Sequence, residues 1–120
     1  MTIVVDIALA IICFSSQPGE EPTCRNALIG SDTPRGTYTL QQRLVDDPLY
    51  GGDVLQFRED PSEVYAIHRV WNGRPYEKRD QRIRSKKASD RRVTKGCINV
   101  TNETYDELVN CCSTDTLIVK

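Results

Sequence analysis

Thr94-Lys95-Gly96-Cys97-Ile98-Asn99-Val100 places one cysteine directly behind a glycine, where a polar turn gives way to an apolar residue. The chain's only histidine, His68, lies upstream in Tyr65-Ala66-Ile67-His68, a run that reads as a strand. A cysteine and one candidate base are the minimum equipment for thiol catalysis. A free thiol with a pKa of about 8.5 is only a few per cent ionised at neutral pH, so it needs a neighbouring base or positive charge. His68 could take that proton and return it to a leaving amine. Gly96 tolerates positive φ and close approach. A turn ending at Cys97 could therefore aim the N–H groups of Gly96 and Cys97 at a tetrahedral oxyanion. Spacing alone also allows a plainer reading, in which Cys97 is a small buried apolar residue and His68 a hydrogen-bonded part of the scaffold.

Outward from these residues the pattern is mainly β. Thr2–Val5 and Leu9–Phe14 are short β-rich runs joined near Asp6, and Ser15-Ser16-Gln17-Pro18-Gly19 supplies turn chemistry. Thr23–Ile29 reads as a third strand ending at Gly30. Tyr38 and Leu40 alternate onto one face, and Val54–Phe57 and Val64–Val70 follow as strands. After Val100 the period changes. Tyr105, Leu108, Val109 and Cys112 fall at i, i+3, i+4 and i+7, a helix with Thr101 or Asn102 as N-cap. Leu117–Val119 closes the chain as a strand. Many short strands with one principal helix predict a mainly β fold, a sandwich or a barrel-like sheet, within a single domain over residues 1–120.

The formal net charge of −1 conceals an uneven distribution: from Arg69 to Arg92, ten basic residues face three acidic ones. This segment reads as a loop with a short helix. Its charge suits either a solvated surface or a basic flap that attracts an anionic substrate. Nucleic acid is disfavoured as a partner, because few aromatics interleave with the charges and no recognised motif appears. Zinc is disfavoured too: there is one histidine, no C-x-x-C, and Cys111 and Cys112 are adjacent. Cys13 and Cys112 read as buried hydrophobes, while Cys24 and Cys111 could be free or paired. The apolar N-terminal run has no Lys or Arg before Arg25 and carries Asp6. It therefore reads as strands rather than a signal peptide or an integral membrane segment.

Three motifs, in order, resemble the L,D-transpeptidase catalytic domain of the YkuD type. Thr33-Pro34-Arg35-Gly36-Thr37-Tyr38, behind Gly30, is similar to the family's G…T-P-x-G-x-[FY] segment. Ile67-His68 is similar to its I-H motif, and Thr94 to Val100 to its [ST]-x-G-C-[IL]-[NR]-[LMV] signature. Ile3-Val4-Val5-Asp6 also resembles the family's opening. The resemblance implies a β-rich domain with Cys97 as nucleophile and His68 as general base. The backbone carbonyl of Arg69 would orient the imidazole, and backbone donors at Gly96 and Cys97 would hold the oxyanion. It implies acyl transfer on peptidoglycan stem peptides in the periplasm or cell wall, with no metal and no cofactor; oligomeric state is left open. Trp71, Arg92, Thr94, Lys95 and Asn99 are the candidates for substrate contact, Asn99 more naturally bracing the turn after the nucleophile. Lys95 stands where many members carry a second histidine, and the 69–93 interval is longer than usual by the basic segment. Related alternatives are an L,D-carboxypeptidase or amino-acid-exchange enzyme, an antibacterial toxin of the same fold, and a non-catalytic wall-binding module.

Overall fold

The Val/Ile-rich segments at the two ends of the chain pair with each other. In the computed structural model, which describes residues 2–120, β1 (Thr2–Asp6) runs parallel to β9 (Thr116–Val119) and antiparallel to β2 (Ile11–Phe14). Period-2 alternation sends Ile3 and Val5 to the core, where both are fully buried, together with Ile12, Phe14, Leu117 and Val119. β3 (Thr23–Asn26) and β4 (Gly36–Thr39) complete a five-stranded sheet in the order β3-β2-β1-β9-β4. A second sheet has the order β5-β6-β7-β8, from β5 (Gln41–Leu44), β6 (Asp53–Glu59), β7 (Val64–Arg69) and β8 (Ile98–Val100).

The mainly β expectation holds, with differences that have physical causes. The run from Leu9 contributes a strand only from Ile11, because Asp6 accepts a hydrogen bond from the Leu9 N–H at 3.1 Å and holds a turn in between. The third strand stops at Asn26. Leu28 and Ile29 instead form isolated bridges to Asn99 and Arg92, tying this segment to the other sheet. β5 was not predicted: all four residues are exposed and nothing alternates, so it is held as an edge strand by its backbone pairing to β6. The predicted helix is α2 (Asn102–Cys112), capped by Thr101, whose hydroxyl accepts from the Thr104 N–H at 3.2 Å. Its apolar stripe, Tyr105, Leu108 and Cys112, is buried. The basic segment is irregular apart from α1 (Arg79–Arg82) and short 3-10 turns. Among the described residues, no helix is long and apolar enough to cross a membrane.

The cysteines need a correction. Cys13 and Cys24 stand opposite each other in the β2–β3 register and form a disulfide, and Cys111 pairs with Cys112. Cys13 and Cys112 are thus not plain buried thiols, although Cys112 is buried as expected. The β2–β3 register, which spacing does not reveal, decides the first pair. Cys97 alone remains a free thiol among the described residues.

Leu117 lies at the crossing of these elements, fully buried on β9 between β1 and β4. Leu117→Ala is expected to lower the unfolding free energy by about 2–5 kcal/mol in urea titrations. A loss under about 1 kcal/mol, below even the ordinary range for a truncated core leucine, would contradict the packing described.

Candidate active site

The second sheet has two unlike faces. Ile67, Ile98 and Val100 point into the core, so the alternate positions Ala66, His68 and Asn99 share the opposite face. β7 and β8 are parallel, with Ile67 opposite Ile98 and His68 opposite Asn99. One step back along that register, Cys97 falls opposite Ala66 and diagonal to His68, on the same face. The two motif residues are therefore brought together by strand pairing, 29 positions apart in sequence.

His68 is 3% exposed. Its Nδ1 lies 2.7 Å from the Arg69 carbonyl, which can only accept, so Nδ1 carries the proton and Nε2 presents a lone pair. The Tyr50 ring stands edge-on to the imidazole at 4.7 Å and helps to bury it. Burial, with a smaller contribution from the Arg79 charge, pushes His68 from 6.5 down to about 4 against the opposing pull of the Arg69 carbonyl. Burial also pushes the Cys97 thiol up; the Glu63 charge adds to this, while the Ala66 N–H and the Arg79 charge oppose it. Both directions favour a neutral thiol beside a neutral imidazole over a thiolate–imidazolium pair. The sulfur lies 3.7 Å from the Val64 carbonyl, to which the thiol donates, and Nε2 faces the Asn99 amide nitrogen at 3.4 Å.

Arg69 contributes more than its carbonyl. Its guanidinium donates to Asp53 Oδ1 at 3.0 Å and to the Tyr50 carbonyl at 3.2 Å, and lies 4.0 Å over the Tyr105 ring. Tyr105 donates to the other Asp53 oxygen at 2.9 Å, and Gln42 reaches the same oxygen at 2.8 Å. This network fastens the 3-10 turn Pro48–Tyr50, and with it the ring covering His68, to β7. Gly51, at φ +79°, closes the turn, and a Cβ there would meet Arg69 Cδ at 2.9 Å.

A cavity of about 190 Å³ opens beside Cys97, lined by Tyr50, Trp71, Arg79, Thr94, Lys95 and Gly96 among others. Of the expected contact residues, Trp71, Thr94 and Lys95 thus reach the cavity. Thr94 also closes the turn at Cys97 by donating to the Cys97 carbonyl at 2.6 Å. Arg92 does not line it: its guanidinium donates to the Ala8 carbonyl at 3.1 Å. Asn99 is fully buried beneath the site rather than facing the cavity. The need for glycine at 96 is steric, not a positive φ, because a Cβ there would meet the Tyr65 ring at 2.6 Å.

Part of the basic segment is a pinned scaffold, while Arg84, Lys86 and Lys87 stay exposed. Arg82 donates to the Asp90 and Arg92 carbonyls at 2.6 and 3.1 Å. Arg91, 4% exposed, donates to the Leu9, Ala10 and Ser85 carbonyls. Arg79, 8% exposed, pairs with Glu77 at 3.1 Å, reaches Asn99 Oδ1 at 3.0 Å and lies 5.0 Å from the Trp71 ring. Sequence reasoning passed over Tyr50 and Arg79. The Glu77-x-Arg79 pair was the only local hint of the latter.

The profile of the YkuD L,D-transpeptidase catalytic domain matches residues 11–119. No curated protein matches the chain. Among solved structures, an L,D-transpeptidase from Mycobacterium smegmatis superposes with a TM-score of 0.63 at 22% identity, over 99% of this chain and 58% of its own. L,D-transpeptidase 3 from Mycobacterium tuberculosis gives 0.64 at 16% identity, over 99% and 60%. The helical cell shape determining protein of Campylobacter jejuni gives 0.63 at 16% identity, over 99% and 46%. The chain spans roughly half to three-fifths of the solved chains it resembles, and at these identities the likeness is one of fold.

The buried imidazole gives a direct test. In an NMR pH titration His68 is expected to change charge near pH 4 rather than near 6.5. The unfolded chain binds the proton first, so this residue's contribution makes stability fall as pH drops from 6.5 to 4, by about 3 kcal/mol, and leaves it level above 6.5. A midpoint at 6.5 or higher would contradict the burial and favour an imidazolium partner for the thiol.

Proposed function

Because the chain belongs to the L,D-transpeptidase catalytic-domain family, we propose that it catalyses cysteine-dependent acyl transfer on peptidoglycan stem peptides. The observation that carries this reading is the placement of a free, cavity-facing thiol diagonal to a buried imidazole whose Nε2 is obliged to be the acceptor.

The resting pair is neutral, so proton transfer accompanies attack instead of preceding it. The Cys97 sulfur turns from the Val64 carbonyl toward Nε2 and adds to the carbonyl carbon of the third stem residue as His68 takes the thiol proton. Catalytic hydrogen bonds are often loose before substrate binds, so the resting thiol–carbonyl contact is compatible with this step. The N–H groups of Gly96 and Cys97 are assigned to the tetrahedral oxyanion. Collapse breaks the amide bond to the terminal D-alanine, whose nitrogen leaves with the proton from Nε2, and a thioester remains on Cys97. An amine of a second stem peptide then attacks the thioester, giving its proton to Nε2. The new amide forms, and the thiolate leaving group recovers that proton. Capture by water would instead make a tripeptide, the L,D-carboxypeptidase outcome.

Trp71, Thr94 and Lys95 are assigned to substrate contact. Arg74 and Lys95 form no ion pair among the described residues and border the cavity, which suits a substrate rich in carboxylates. The disulfides fit an oxidising compartment outside the cytoplasm, such as the periplasm or cell wall, where this substrate lies. Residues 1–120 are read as the catalytic domain.

A carbapenem offers a strained acyl donor for the test. Mass spectrometry should find one covalent adduct on the wild-type protein, none on Cys97→Ala, and acylation slowed about 10²- to 10⁴-fold in His68→Ala. Purified tetrapeptide muropeptides should then yield cross-linked dimer, or tripeptide if water is the acceptor. An adduct surviving in Cys97→Ala would exclude this cysteine as the nucleophile.

A further inference from the structure

We propose that Arg79, from the basic segment, is a positioning residue for this reaction, fixing the Asn99 carboxamide so that its N–H₂, not its carbonyl, faces Nε2 of His68. The inference rests on the functional reading above and deepens it.

Asn99 is fully buried on β8, directly opposite His68. Its Oδ1 accepts two hydrogen bonds, from the Trp71 backbone N–H at 3.2 Å and from Arg79 Nη1 at 3.0 Å. With the oxygen so held, Nδ2 must point the other way, and it lies 3.4 Å from Nε2. A flipped carboxamide would set its N–H₂ against two donors and its oxygen against the imidazole lone pair. Such a flip is disfavoured at both ends while Arg79 is in place. Without Arg79 only the Trp71 N–H opposes it at the oxygen end, and protonation of Nε2 during attack removes the opposition at the other.

The orientation matters for the proton. The Arg69 carbonyl holds the proton on Nδ1, leaving Nε2 as the base. A carboxamide oxygen at Nε2 would accept from the imidazolium formed during attack and retain the proton that the leaving amine needs. A weak N–H contact at 3.4 Å cannot hold that proton, so Nε2 stays free to receive it and give it up. The groups around the ring are the Arg69 carbonyl, the Tyr50 edge and Asn99, with Cys97 diagonal on the same face and the Arg79 charge beyond.

Arg79 is built as a fixed strut. Its side chain is 9% exposed, bonds Glu77 through Nε at 3.1 Å, and its guanidinium lies 5.0 Å from the ring of the same Trp71 whose N–H shares the Asn99 oxygen. The segment that looked like an electrostatic lure in sequence thus reaches under the cavity and sets the neighbour of the base.

The test is a double-mutant cycle on the rate of Cys97 acylation by a carbapenem, using wild type, R79M, N99A and R79M/N99A. Circular dichroism and Tm confirm that each variant is folded; if R79M does not fold, R79K replaces it. R79M and N99A should each slow acylation about tenfold, and the double variant should be no slower than the slower single one, since both act through one carboxamide. R79M should also move the acid limb of the pH–rate profile to higher pH, and by more in the Asn99 background than in the N99A background. A merely structural role would not produce that dependence. Additive losses, or an R79M rate equal to wild type, would overturn this inference alone. Failure of the wild-type protein to form any adduct at Cys97 would overturn the functional reading and this inference with it.

Discussion

The parallel pairing of β7 with β8 is the constraint on which the site depends. Because Ile67 and Ile98 are drawn into the core, His68 and Asn99 are forced onto the outer face, and Cys97 follows one register step behind. A one-residue slip would send the imidazole into the core and Ile67 onto the opposite face, exchanging apolar burial for a buried polar ring. The same apolar burial that stabilises the sheet therefore aligns the thiol and the imidazole.

Two covers are then laid over that face, each held by an arginine. Arg69 clamps the Tyr50 turn from below through Asp53 and Tyr105, while Arg79 ties the basic segment to Asn99. Together they keep water from His68, which is why its conjugate acid is so weak. Such an imidazole is a poor partner for a resting thiolate. Under the function proposed above, proton transfer at this site accompanies bond making and does not start from a stored ion pair.

Much of this was legible in the sequence, and what was not has identifiable causes. β1 and β2 declared themselves as β-rich runs and α2 by its 3.6-residue period, with Thr101, one of two candidate caps, taking that role. β5 was silent because Gln41-Gln42-Arg43-Leu44 buries nothing. Asn99 read as a brace for the turn at Cys97, whereas it sits on the short strand β8 and its partners come from the distant Trp71 and Arg79. The charge of the basic segment was obvious, but its use was not: carbonyls as remote as Leu9 and Ala10 receive Arg91, a contact that only the folded chain creates. The disulfide between Cys13 and Cys24 likewise waited on a strand register.

The neutrality of the resting thiol and imidazole is the central claim, and ultraviolet thiolate absorbance, taken as the difference between the protein and its Cys97→Ala variant across pH, measures it most directly. The account predicts that thiolate appears only above the ordinary thiol range, with no plateau in mildly acidic solution. A thiolate signal already present near pH 6, roughly the ordinary imidazole range, and lost in His68→Ala would reveal a preformed ion pair and contradict it.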